Sequence, residues 1–240
     1  MQTRVLGVRV DVVTMDKAVE ILENFIAERV SRVVATANAE MIMATKGDSN
    51  LAQILEQADL VVPDGAGVVW AARYQGCKVP ERVAGYDLVQ RLLAQAASHG
   101  YRVYFFGGAE GVADKACQAA KKQYPGLKLA GTRNGFFSAK DERLIIEEIR
   151  STRPDILLVA LGVPKQEKWL ATHLKELNVP VSIGVGGTFD VMAGNMKRAP
   201  LWMQRLNLEW LFRLLMQPKR ALRMMALPRF VIAVIGAKKH

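Results

Sequence analysis

Asp64, in the run Val61-Val62-Pro63-Asp64-Gly65, is the residue best placed for proton chemistry. A carboxylate projected from the end of an apolar run by a Pro–Gly turn can take a proton from a hydroxyl. The same pattern also describes a plain turn residue or a helix cap. Its company sets it apart: Thr36, Asn38, Arg82 and Gln166 fall at comparable strand exits or early helix turns. No D-x-D pair is present to hold a divalent metal on a diphosphate. A diphosphate leaving group would therefore need cationic side chains to neutralise the departing charge. Arg82 in Pro80-Glu81-Arg82-Val83-Ala84-Gly85 is one candidate and the arginines near the C-terminus are others. A surface Arg82 paired with Glu81 is the bland alternative.

Other motifs exclude more than they assign. Gly107-Gly108-x-x-Gly111 follows a strand-like run and offers a turn that could accept a phosphate on helix N–H groups, or serve only a tight strand–helix connection. The G-x-G-x-x-G dinucleotide fingerprint, its ribose-binding acid and a Walker A loop are all missing. Gly186, Gly187 and Asp190, in Gly184-Val185-Gly186-Gly187-x-Phe189-Asp190, fit either close approach to a nucleotide or close strand–helix packing. His99, His173 and His240 lack metal-ligand spacing, and Cys77 and Cys117 form no CxxC pair. The cysteines read as two free thiols of a reducing compartment, and neither zinc nor a histidine-activated nucleophile is expected. The expected enzyme needs no cofactor and no metal.

These residues need a frame that brings strand ends together. Short apolar runs at 32–36, 59–63, 101–106, 127–132, 156–161 and 181–185 alternate with helical periodicity. Helices are predicted after Thr14, after Asn38, after Gly65, and over 82–100, 112–123 and 141–152, with Pro164 opening another. Residues 4–13 read as one or two short strands. Buried strands alternating with helices imply an α/β, Rossmann-like, mostly parallel sheet with helices on both faces. Ligands of such sheets bind beyond the carboxyl ends of the strands, where all the residues singled out above would lie.

Charge divides the chain. It carries 33 Lys/Arg against 23 Asp/Glu, a net charge of +10, and residues 197–240 hold 10 of the cations but only one acid, Glu209. The strand–helix rhythm also ends near residues 193–200, so a body of residues 1–196 and a basic appendage of residues 197–240 are expected. Two helical stretches, 201–216 and 219–227, each closed by a proline, precede a short apolar run at 230–235. That run is far shorter than the roughly twenty residues a membrane span requires. Cations set among Leu, Met, Trp and Phe favour docking on an anionic membrane surface over nucleic acid, at about 1 kcal/mol per Lys or Arg. Folding of the tail onto the body as ordinary core is the competing reading. Trp202 and Trp210 fit either. The alternating N-terminus does not read as a secretory signal, so the expected location is cytoplasmic, peripheral on the inner face of the plasma membrane. Assembly into a homo-oligomer is left open.

Ala35-Thr36-x-Asn38-Ala39-Glu40, Pro63-Asp64-Gly65, Pro80-Glu81-Arg82-Val83-Ala84-Gly85-x-Asp87, Gly162-x-Pro164-Lys165-Gln166-Glu167 and Gly184-Val185-Gly186-Gly187-x-Phe189-Asp190 occur in this order. Ala199-Pro200, Leu208-Glu209-Trp210 and Pro218-x-Arg220 follow in the tail. Together they resemble the WecG/TagA/CpsF glycosyltransferases over nearly the whole chain, most closely the TagA-like N-acetylmannosaminyltransferases. The resemblance implies a UDP-sugar donor, UDP-N-acetylmannosamine, and transfer with inversion to the C4 hydroxyl of N-acetylglucosamine on undecaprenyl diphosphate. It implies Asp64 as general base, Thr36 and Gln166 at the reaction centre, and Arg82 on the diphosphate. It also implies that Arg213, Arg220 and Arg223 close over the nucleotide. Asn38, Gly65, Gly107, Gly108, Lys165, Gly186, Gly187 and Asp190 complete the expected substrate-binding set. Another donor sugar (N-acetylmannosaminuronic acid or glucose) and a non-catalytic nucleotide-sugar binder are the rivals.

Overall fold

The structure, a computed structural model, describes residues 1–216, apart from the side chain of Arg213, and residues 225–237. The chain opens with an antiparallel hairpin, β1 (Gln2–Val5) and β2 (Val8–Asp11), turned by Leu6 and Gly7, both at positive φ. That conformation suits a two-residue hairpin turn. The hairpin is pinned to the body by the buried Asp11 carboxylate, which accepts the Val61 N–H at 2.8 Å.

Six parallel strands follow: β3 (Arg32–Ala37), β4 (Leu60–Pro63), β5 (Arg102–Gly107), β6 (Lys128–Arg133), β7 (Ile156–Ala160) and β8 (Val181–Gly184). They lie in the order β4-β3-β8-β7-β5-β6. Alternate residues of one strand feed opposite faces, as the pleat demands. Val33, Ala35 and Ala37 join one apolar cluster with Tyr104, Phe106, Leu157 and Val159. Val34 joins the other with Val103, Phe105, Ile156 and Leu158. Burial on both faces is why these strands read as continuous apolar runs.

One face is covered by α1 (Met15–Glu28), α5 (Gly85–His99), α6 (Val112–Gln123) and α9 (Thr188–Met192). The other carries α2 (Ala39–Thr45), α3 (Ser49–Gln57), α4 (Ala66–Tyr74), α7 (Glu142–Ser151) and α8 (Lys165–Leu177). Helix starts follow local chemistry. Thr14 caps α1 by accepting the Lys17 N–H, and Asn38 caps α2 by accepting the Met41 N–H at 2.9 Å. Gly100, at φ 73°, ends α5 in the left-handed conformation that glycine adopts without penalty.

Three boundaries differ from the sequence expectation. The helix expected over 82–100 begins only at Gly85, because residues 82–84 are held extended against the end of β4, with the Val83 N–H on the Pro63 carbonyl at 3.0 Å. The stretch 201–216 is two helices, α10 (Leu201–Arg205) and α11 (Glu209–Met216), broken at Asn207, whose φ is 61°. The apolar run at 230–235 belongs to a longer helix, α12 (Ala226–Ala237), with Pro228 in its first turn, where a missing N–H is tolerated. Pro228 therefore opens a helix rather than closing one. Most of the stretch expected to be helical at 219–227 lies outside the described residues.

The last helix settles against the body between α2 and α4. Phe230 and Val234 are fully buried there, and the Phe230 ring lies 3.7 Å from where a Cβ on Gly67 would stand. Other large apolar side chains of the tail are open to solvent: Trp202 is 59%, Leu215 66% and Ile232 71% exposed. Among the described residues no helix is long and apolar enough to cross a membrane.

Candidate active site

Asp64 leaves the end of β4 between two helix starts. Its N–H donates to the Ala37 carbonyl at 2.9 Å, and its Oδ1 accepts the Gly85 N–H, the first of α5, at 3.0 Å. The cap reading of Asp64 is therefore part of the truth: the carboxylate ties β4 to α5. Residues 82–84 run alongside the end of β4, with the Val83 N–H on the Pro63 carbonyl at 3.0 Å. Thr36, buried at the end of β3, lies next to Asp64 and Gly85, since a Cβ on Gly85 would meet Thr36 Cγ2 at 3.1 Å and Asp64 Oδ2 at 3.4 Å.

Asp64 and Arg82 line a cavity of about 160 Å³ with Asn38, Glu40, Gly65 and Ala66 from the body. The tail supplies its other wall through Asn207, Glu209, Trp210, Ala226 and Leu227. Trp210 thus borders the site while remaining 42% exposed. A second cavity, of about 500 Å³, shares Ala66, Arg82 and Asn207 and runs on past Val69, Trp70 and Tyr74. Trp70 and Tyr74 stack there at 5.4 Å.

Arg82 is paired, though not with Glu81, whose carboxylate instead accepts the Met15 N–H at 2.6 Å. Arg82 Nη2 donates to Glu209 Oε2 at 3.1 Å, with both side chains largely buried. Glu209 Oε1 lies 3.7 Å from Arg198 Nε, and Arg198 forks onto both oxygens of Asp87 at 2.7 Å while lying over the Tyr86 ring. Bidentate guanidinium–carboxylate pairs of this kind are the strong, geometrically specific ones.

Gln166 is brought to the neighbourhood but is not an open side chain. It is 2% exposed, and its Oε1 accepts the N–H groups of Gly162 at 3.2 Å and Gly186 at 3.0 Å. Its Nε2 donates to Glu167 Oε1 at 2.8 Å. It thus clamps the loop after β7 to the loop after β8. Gly184 has no room for a side chain, because a Cβ would stand 2.5 Å from Gln166 Nε2. The Thr36 hydroxyl reaches the Gly184 carbonyl at 3.5 Å, so Thr36, Gly184 and Gln166 are contiguous. Burial pushes the Glu167 carboxyl up to about 7, against the Gln166 hydrogen bond, which lowers it, and Glu167 Oε2 has no hydrogen-bond partner among the described residues.

The glycine turns are closely packed. The Gly108 N–H donates to the Ala160 carbonyl at 2.8 Å, and a Cβ on Gly107 would stand 2.4 Å from that oxygen. The Gly186 N–H is held by Gln166. The N–H groups of Gly108 and Gly186 are therefore engaged within the chain rather than presented to a phosphate. Gly187 precedes α9 and Asp190 lies in its first turn, while Lys165 sits over the Phe137 ring at 4.5 Å; none of the three borders the Asp64 cavity. The Arg213 side chain, Arg220 and Arg223 lie outside what the structure describes.

Among the described residues, no three His, Cys, Asp or Glu side chains are grouped to hold a metal ion. His173 instead bridges α8 to Glu142 of α7 at 3.2 Å. Cys117 is buried, and burial pushes its thiol up to about 11, which makes it unreactive.

Sequence reasoning passed over Glu40, Asn207 and Glu209 as lining residues. Glu209 had a visible signal, being the sole acid of a cationic tail. Asn207 had none, because its place follows from the break between α10 and α11.

The profile of the "Glycosyl transferase WecG/TagA/CpsF family" matches residues 3–240. An N-acetylglucosaminyldiphosphoundecaprenol N-acetyl-beta-D-mannosaminyltransferase of Bacillus subtilis (strain 168) is 35% identical over 218 residues, 91% of this chain and 84% of the relative. A protein of the same name from Staphylococcus aureus (strain MW2) is 32% identical over 237 residues, 98% of this chain and 92% of the relative. With the match running through body and tail alike, the chain belongs to the WecG/TagA/CpsF family of glycosyltransferases.

Proposed function

We propose that the protein transfers N-acetylmannosamine from UDP-N-acetylmannosamine to the C4 hydroxyl of N-acetylglucosamine on undecaprenyl diphosphate. The product is a β-1,4-linked disaccharide lipid of the teichoic-acid linkage unit or a related cell-surface polysaccharide. The observation that carries this reading is the placement of Asp64 and Arg82 on one cavity closed by the tail. Inverting transfer needs one base and one stabilised leaving group. As the C4 oxygen bonds to the anomeric carbon, its proton passes to Asp64. The bond from that carbon to the UDP oxygen breaks on the opposite face, and Arg82 meets the charge that develops on the diphosphate. Gln166 contributes as the clamp that sets the β7 and β8 loops. Arg213, Arg220 and Arg223 are proposed to add charge over the nucleotide.

The reaction is proposed to run without a metal, so activity persists in excess EDTA; loss in EDTA with recovery on adding magnesium would overturn that point. The tail is proposed to dock on the anionic inner face of the plasma membrane. Supporting this are ten cations in residues 197–240 and the exposed Trp202, Leu215 and Ile232. A screen of UDP-sugars against a soluble analogue of the N-acetylglucosamine-diphosphate lipid tests the function. UDP-N-acetylmannosamine turns over fastest on this reading, and a clear preference for the uronic acid or for UDP-glucose contradicts it.

A further inference from the structure

The sole acidic residue of the tail lies in the wall of the catalytic cavity, not on the surface. Glu209, in the first turn of α11, accepts from Arg82 at 3.1 Å and stands 3.7 Å from Arg198. Arg198 is itself fixed, forked onto Asp87 at 2.7 Å and stacked over Tyr86 at 4.6 Å, both residues belonging to α5. The charges alternate from Asp87 through Arg198 and Glu209 to Arg82. Such a network can be partly buried without leaving a lone charge to desolvate. The side chains of Glu209 and Arg82 are only 13% and 19% exposed, so the pair is less screened than a surface ion pair.

Arg82 needs such a holder. Among the residues described as lining the cavity it is the one cation, and the same cavity presents the carboxylates of Glu40 and Asp64. An arginine side chain is long and has many rotamers, and a carboxylate is its strongest partner. A counter-ion on the tail side therefore fixes which way the guanidinium reaches across the cavity.

We propose that Glu209 is a positioning residue: anchored through Arg198 to α5, it holds the Arg82 guanidinium toward the leaving diphosphate. The tail then contributes to catalysis through its acid as well as through its arginines. Docking of α11 and readiness of the active site become one event. This rests on the reading of Arg82 as the leaving-group contact.

The test is a double-mutant cycle in the full-length chain, with steady-state kinetics on UDP-N-acetylmannosamine and a water-soluble acceptor. Glu209→Gln keeps the shape and removes the charge. It is expected to lower kcat about ten- to a hundredfold while KM for the donor moves less than about threefold. Glu209→Asp, which keeps the charge, recovers part of the rate. In an Arg82→Ala background, Glu209→Gln costs less than about twofold, because its effect passes through the missing arginine. Equal costs in the two backgrounds would overturn the proposal and leave Glu209 as a structural tie of the tail. Wild-type rates for Arg82→Ala alone would instead remove Arg82 from the leaving group, a failure of the underlying reading. Should Glu209→Gln not fold, the cycle run with Glu209→Asp reads the part of the coupling lost when the carboxylate is drawn back from Arg82 by one methylene, and that cost too is expected to vanish in the Arg82→Ala background.

Discussion

Replacing Glu167 by glutamine should change how stability depends on pH, and the size of the effect follows from burial. The Glu167 carboxyl is 3% exposed, and burial raises it to about 7 from an ordinary value of 4.5. The folded state then binds the proton more tightly than the unfolded chain does. The resulting stabilisation is complete below the unfolded value and is lost as pH rises through 7. Between pH 5 and pH 8 that linkage amounts to about 2.5 kcal/mol, because each tenfold difference in proton affinity is worth about 1.4 kcal/mol. The replacement amide does not titrate, yet its oxygen can still accept from Gln166. Urea unfolding of both proteins at pH 5, 6.5 and 8 measures the difference. Relative to wild type, Glu167→Gln should gain about 2.5 kcal/mol of stability on going from pH 5 to pH 8. A constant difference across that range would mean that Glu167 is solvated or carries a charged partner, and that the buried clamp on Gln166 is misjudged.

Two further perturbations separate site from scaffold. Gly184→Ala places a methyl where Gln166 Nε2 lies 2.5 Å away, so the clamp must shift. Thermal melts should show about 1–3 kcal/mol of destabilisation, with transfer rates down about tenfold or more; unchanged rates would remove Gln166 from catalysis. Truncation after Met196 removes both Glu209 and the buried Phe230, and should abolish transfer to a water-soluble acceptor as well as binding to anionic vesicles. Full activity on the soluble acceptor would reduce the tail to an anchor.

The body was legible because its signals are local. Continuous apolar runs mark strands buried on both faces, Thr14 and Asn38 cap the helices that follow them, and Gly100 stops α5. Asp64 and Thr36 were found because they fall at the ends of β4 and β3, and Arg82 because it falls at the expected start of a helix. Their meeting was hidden, since it depends on the Asp64 carboxylate taking the Gly85 N–H from a different helix. That contact also delays α5 by three residues, against a periodicity that favours helix from Arg82. Gln166 was found by position and misread in manner, because nothing local says that its oxygen receives N–H groups from two loops. The glycine turn at Gly107 and Gly108 suits phosphate binding and tight packing equally in sequence; the 2.4 Å approach to Ala160 shows that packing alone already requires glycine at 107. In the tail, charge and apolar content were plain. The break at Asn207 and the pairing of Glu209 with Arg82 are tertiary choices.

The central claim is that Asp64 takes the acceptor proton while Arg82 holds the leaving diphosphate. Asp64→Asn keeps the size of the side chain, and the amide oxygen can still accept the Gly85 N–H, so the fold and the cavity are preserved. The decisive measurement is the rate of disaccharide formation by this variant with saturating UDP-N-acetylmannosamine, alongside its calorimetric affinity for UDP. The account predicts a rate lower by about a hundredfold or more with UDP affinity nearly unchanged. A rate close to wild type would contradict it and take Asp64 out of the mechanism.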